Sequence, residues 1–196
     1  MVVKFFWRSC WVGVALALAA SGAHASSSSL GDGFRLSQTC AGCHGTAGAS
    51  PGNTIPVIGG QTAAYLADSM RAYKMDERKF YVMNIIAKAF VDSEIDAISD
   101  WLSSQPWVNT ETAVDSAKQA AGAPLAVACV ECHGPGGEGT DLGPRIAGQP
   151  ARYTAKVMSE YKAKSRGNSN AMQMVIATTL SDEEIEALAH YYAGLR

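Results

Sequence analysis

Cys40-Ala41-Gly42-Cys43-His44 and Cys129-Val130-Glu131-Cys132-His133 repeat one pentapeptide 89 positions apart, and nothing else in the chain limits its fold so tightly. Two thiols one helical turn apart can form thioethers with the two vinyl groups of one porphyrin, and the histidine that follows then lies under the iron. Each motif is followed by glycine and a glycine-rich loop. The pattern implies two covalently attached haem c groups and the transfer of electrons.

The repeat extends well beyond these motifs. Pro56-Val57-Ile58-Gly59-Gly60-Gln61 recurs at an offset of 88 as Pro144-Arg145-Ile146-Ala147-Gly148-Gln149. The same offset pairs Tyr65 with Tyr153, Met70 with Met158, Tyr73 with Tyr161 and Lys74 with Lys162. Each half is smaller than an apolar core alone comfortably supports, so a buried porphyrin is expected to complete each core.

Periodicity predicts an all-α chain. Helices are expected over 30–39 and 113–128 leading into the motifs, over 63–74 and 151–163 after the Pro-x-Ile segments, and over 92–103 and 181–195 closing each half. Asp92 reads as an N-cap, and Ser181 with Glu184 as a capping box. Residues 105–112, beginning Gln105-Pro106-Trp107, break the periodicity and form a linker between domains at 26–104 and 113–196.

Residues 1–25 read as a cleaved signal peptide, which places the mature protein in the periplasm. Lys4 and Arg8 supply its basic start, Trp11 to Ala20 its apolar run, and Ala23-His24-Ala25 its cleavage site. Cys10 leaves with it, so all remaining cysteines belong to the two motifs. No other apolar run is long enough to span a bilayer. The mature chain carries 14 basic against 18 acidic residues, divided evenly enough that neither half is a basic lobe, and no nucleic-acid footprint is present. Lys156, Lys162, Lys164 and Arg166 gather locally and read as a solvated helix face and loop.

Counting narrows the sixth iron ligands. With His44 and His133 proximal and His24 in the leader, only His190 remains, and its closing-helix position suits packing or surface. Methionine, a soft thioether that favours ferrous iron, is the better candidate. Met83 and Met172 each stand 39 residues after their histidine, with Met174 the alternative to Met172. Met70, Met75 and Met158 read as packing or surface residues. Pro56 and Pro144 are the candidate carbonyl donors that would fix the histidine rings.

Other classes fit less well. Paired Cys-x-x-Cys can hold zinc, but its halves normally lie much closer together, and here each carries its own histidine. A disulfide-stapled module fits no better. A diheme peroxidase needs a displaceable iron position, whereas a methionine is available to each iron.

With these residues in view, the chain resembles diheme class I cytochromes c, in particular cytochrome c4 and the cytochrome subunit of flavocytochrome c sulfide dehydrogenase. The resemblance covers both motifs, Pro56-x-Ile58-x-Gly60-Gln61, Met83, Pro144 to Gln149 and Met172. It implies two tandem cytochrome c folds, each around one haem, with the prolines accepting from the axial histidines. It also implies a non-enzymatic electron carrier whose partners are redox proteins: a flavoprotein subunit, a quinol-oxidising complex or a terminal oxidase. Gly33, Phe34 and Gly122 resemble the residues where an entry helix meets the closing helix, facing Trp101 and Tyr191. Ala123 stands where Phe34 would recur, so that packing must differ.

Overall fold

The computed structural model describes residues 24–110, 113–167 and 171–196. The predicted leader lies outside them except for its last two positions, as do Glu111 and Thr112 of the linker. Among the described residues the chain is helical, and one isolated bridge between Thr140 and Gly143 stands in place of any strand.

The first half comprises α1 (His24–His44), α2 (Ala63–Lys74), α3 (Tyr81–Lys88) and α4 (Asp92–Ser103). In the second, α5 (Ser116–Gly122) runs into a 3-10 stretch, Ala123–Cys129, and a single turn, α6 (Val130–His133). It then continues through α7 (Ala151–Lys162), α8 (Ala171–Thr179) and α9 (Asp182–Gly194). The predicted bounds of α2 and α4 agree with the structure.

The entry helices depart from expectation in opposite directions. α1 runs straight through its motif to His44. α5 begins only at Ser116, where the Asp115 carboxylate accepts the N–H groups of Ala117 and Lys118 at 2.9 and 3.1 Å. It tightens into 3-10 geometry at Ala123 because Pro124 has no N–H with which to continue the α-helical ladder.

Two caps were expected and one moves. The residue flanking α4 is Val91, not Asp92. Val91 has no side-chain oxygen, so only half a capping box forms, with the Glu94 carboxylate accepting the Val91 N–H at 2.9 Å. Asp92 instead takes an ion pair from Lys74 at 2.7 Å. At α9 the box is complete: Ser181 Oγ accepts the Glu184 N–H at 3.1 Å, and Glu184 accepts the Ser181 N–H at 2.7 Å.

Each entry helix crosses its closing helix at a glycine. A Cβ on Gly33 would lie 2.2 Å from the Ala97 carbonyl oxygen and 2.8 Å from Trp101 Cβ. On Gly122 it would lie 2.2 Å from the Ala187 oxygen and 2.8 Å from Tyr191 Cβ. Phe34 packs on Trp101 with ring centroids 5.5 Å apart, a contact that Ala123 cannot repeat.

The cores behind these crossings are thin. Leu66, Phe90, Ile95, Ile98 and Leu102 fill the first, whereas the second divides into an alanine-rich cluster around Met158 and Ile185 and a smaller one of Ala126, Leu188 and Tyr192. Burial of one large aliphatic side chain is worth about 1.5–3 kcal/mol, so a core built mostly from alanine needs further apolar contact.

The halves meet along a seam with approximate two-fold symmetry. Arg78 donates to Tyr153 Oη at 3.2 Å and covers the Tyr73 ring. Arg166, its counterpart 88 positions on, donates to Tyr65 Oη at 3.4 Å and covers the Tyr161 ring. Both arginines are buried, which corrects the reading of Arg166 as part of a solvated cluster. Of the others, Lys156 pairs with Glu160 and Lys162 with Asp182 on the surface. Burial opposes ionisation of Tyr65, but Arg78 and Arg166 outweigh it and hold that phenol below its ordinary value.

Candidate functional site

Both histidines are delivered by a helix that stops at once. Gly45 and Gly134, at φ 75° and 81°, occupy the left-handed region that ends a helix without the strain a side chain would add. The loop then doubles back. Gly48 O accepts N–H groups from Ile58 and Gly59 at 3.0 and 3.2 Å, and Gly137 O accepts those of Ile146 and Ala147 at 2.8 and 2.9 Å.

These bonds hold Pro56 and Pro144 against the rings. His44 Nδ1–H donates to Pro56 O at 2.9 Å, and His133 Nδ1–H donates to Pro144 O at 2.7 Å. A carbonyl can only accept, so Nδ1 carries the proton and Nε2 of the neutral ring keeps its lone pair for a metal. Burial holds His44 below its ordinary pKa despite the opposing pull of the Pro56 carbonyl, which leaves the ring neutral at pH 7.

The four described cysteines form no disulfide. Burial pushes the Cys40 thiol up to about 11 and raises Cys129 as well. Both are therefore thiols at neutral pH.

Met83 lies half-buried on α3, while on α8 Met172 is 59% exposed and Met174 half-buried. Ala87 and Ala177, both fully buried, give these helices a common register. Met83 stands four residues before its alanine; Met172 stands five before and Met174 three before. Gln173 therefore takes the place equivalent to Met83, with a methionine on either side, and its Nε2–H donates to Met158 Sδ at 3.2 Å. Met70 and Met158 pack into the two cores, and Met75 is exposed. His190 accepts the Asp115 N–H through Nδ1 at 3.0 Å, tying α9 to the start of α5.

The family model for cytochrome c matches residues 31–106 and again residues 119–195. The chain belongs to the cytochrome c family. Cytochrome c4 of Stutzerimonas stutzeri is 31% identical over 176 residues, covering 80% of this chain and 84% of that one. A thiosulfate dehydrogenase electron acceptor from Thiomonas intermedia is 38% identical over 169 residues, covering 80% and 78%. The crystal structure of reduced recombinant cytochrome c4 from Pseudomonas stutzeri superposes with a TM-score of 0.79 at 30% identity, over 85% of this chain and 98% of that one. This is a diheme, c4-type cytochrome of two tandem all-α domains, an electron-transfer protein and not an enzyme.

The residues present fit covalently bound haem c. Each motif offers two thiols and a correctly tautomeric imidazole. Val127 and Val130, beside the second pair of cysteines, are exposed apolar side chains, and so are Val82 and Ile85 on α3 and Val175 on α8. At the seam, Arg166 Nε is buried without a partner.

Sequence reasoning noted the recurrence of Gln61 as Gln149 and of Tyr65 as Tyr153 but gave them no task. The structure places all four between the halves. Arg78 and Arg166 were missed as a pair, although the offset of 88 links them too.

Proposed function

We propose that the protein is an exported carrier of the cytochrome c4 type, working in the periplasm after removal of residues 1–25. Cys40 and Cys43 hold one haem by thioethers, and Cys129 and Cys132 hold the other. His44 and His133 are the proximal ligands. Met83 and Met172 complete the two irons, with Met174 the alternative in the second domain. The domains run over 26–104 and 113–196, joined by 105–112.

The observation that carries this reading is the duplicated contact between proximal histidine and proline carbonyl behind each Cys-x-x-Cys-His motif. Haem c supplies one-electron ferric–ferrous chemistry when bound. The chain buries each imidazole, orients it through Pro56 or Pro144, and raises its basicity.

The partners are redox proteins. Likeness to a thiosulfate dehydrogenase electron acceptor favours a second reading, in which the donor is an enzyme that oxidises a sulfur compound. The flavocytochrome c sulfide dehydrogenase subunit is the neighbouring alternative of the same chemistry.

Protein matured in a host with c-type haem assembly is expected to show two attached haems and no free thiol by intact mass. One haem, or a bound metal ion instead, would refute the reading.

A further inference from the structure

The peptide groups that accept from the two proximal histidines are gripped from the opposite domain. Pro56 O accepts from His44, while the N–H of the same peptide, carried by Val57, donates to Gln149 Oε1 at 3.0 Å. Gln149 Nε2–H then donates to Val57 O at 2.8 Å. The mirror arrangement holds in the other direction. Pro144 O accepts from His133, the Arg145 N–H donates to Gln61 Oε1 at 2.9 Å, and Gln61 Nε2–H donates to Arg145 O at 2.8 Å. Gln61, Gln149 and Val57 are 3%, 5% and 1% exposed, so water does not compete for these bonds.

A peptide is one conjugated unit, and drawing on its N–H makes its oxygen a stronger acceptor. A stronger acceptor at Nδ1–H makes the imidazole more basic, and a more basic axial ligand favours ferric iron. We propose that Gln149 is a positioning residue that lowers the potential of the haem bound through His44, and that Gln61 does the same for the haem bound through His133. Each domain thereby tunes the other's iron. The inference rests on the histidine ligation given above.

The test is spectroelectrochemical titration of the two haems in holoprotein carrying Gln149→Leu or Gln61→Leu. Gln149→Leu removes the acceptor for the Val57 N–H, so the His44 haem should become easier to reduce. Its ferric-to-ferrous ratio at fixed poise should fall roughly threefold, which at 59 mV per tenfold is about 28 mV. The His133 haem should stay where it was, and Gln61→Leu should give the reverse pattern. Gln149→Glu keeps an oxygen facing the Val57 N–H in either protonation state, so it should not raise the potential. Gln149→Asn, one methylene too short to reach, should raise it as leucine does and serves if the leucine variant does not accumulate.

The ring Nδ1–H resonance of His44 should shift upfield in Gln149→Leu, as its bond to Pro56 weakens. If both potentials move together, the glutamines act only as domain glue and the proposal fails. If neither moves, it fails as well. Unsubstituted protein lacking two haem c groups would instead refute the ligation beneath it.

Discussion

Gly33→Ala should be far more damaging than Gly31→Ala, two residues away on the same helix. The added Cβ at Gly33 lies 2.2 Å from a backbone oxygen, whereas ordinary contact begins at 3.4 Å, so α1 must retreat from α4 by about 1 Å. The obstacle is main chain on a buried helix, not the movable end of a side chain. That puts the cost near the top of the overpacking range, about 3 kcal/mol. At Gly31 a Cβ meets nothing within 4 Å. Both substitutions gain the same helix propensity, about 1 kcal/mol, so their difference isolates packing. For a domain of this size 1 kcal/mol moves Tm by about 4–8 °C, which predicts a gap of roughly 12–24 °C between the two variants. Calorimetry of the oxidised holoprotein resolves it, with Gly31→Ala melting at or above the unsubstituted protein. A gap below roughly 5 °C would show that the helices slide apart freely, and the close-crossing argument would be wrong.

Two further expectations concern the irons and the helix ends. Met83→Ala should remove half of the weak sulfur-to-iron band of the oxidised spectrum and lower one potential, and Met172→Ala should do the same for the other haem. Met174→Ala should leave both unchanged; if it, and not Met172→Ala, removes half of the band, Met174 is the ligand. At the helix ends, the N–H groups of Lys118 and Ala117 hold Asp115 below its ordinary carboxylate value of 3.8. Its stabilising effect is then present above that value and lost as the pH falls through the lower folded one. Asp115→Asn should therefore flatten the acid limb of a Tm-versus-pH curve and leave its neutral-to-alkaline limb unchanged in shape.

The sequence made the chemistry visible because covalent haem attachment demands fixed residues at fixed spacing. α2 and α4, each with one strong apolar face and a clear stop, were readable to the residue. α5 was not, since Pro124 sits inside an otherwise periodic stretch and its effect is a change of helix type, not a break. Val91 as the cap of α4 left no trace, because a backbone conformation and not a side chain defines it. Arg166 misled for a different reason. Its charged neighbours on a helix end look solvated, and only the fold brings Tyr65 and Tyr161 over to enclose it. The second-domain methionine resists reading because one residue more or less before Ala177 shifts every candidate by a third of a turn.

Gln61 and Gln149 grip main chain, and this frees the residues they grip. Because the clasp is satisfied by any N–H and C=O in the right place, its two copies have been able to take on different side chains. Val57 is a buried aliphatic in one, while in the other Arg145 extends to lie over the Trp107 ring of the linker. A chain that repeats one unit twice can in this way keep the geometry of a two-fold dimer while its halves differ in chemistry. The surroundings of His44 and His133 can then drift apart in electrostatics, the first beside a hydrocarbon and the second beside a cation, without loosening the joint between them.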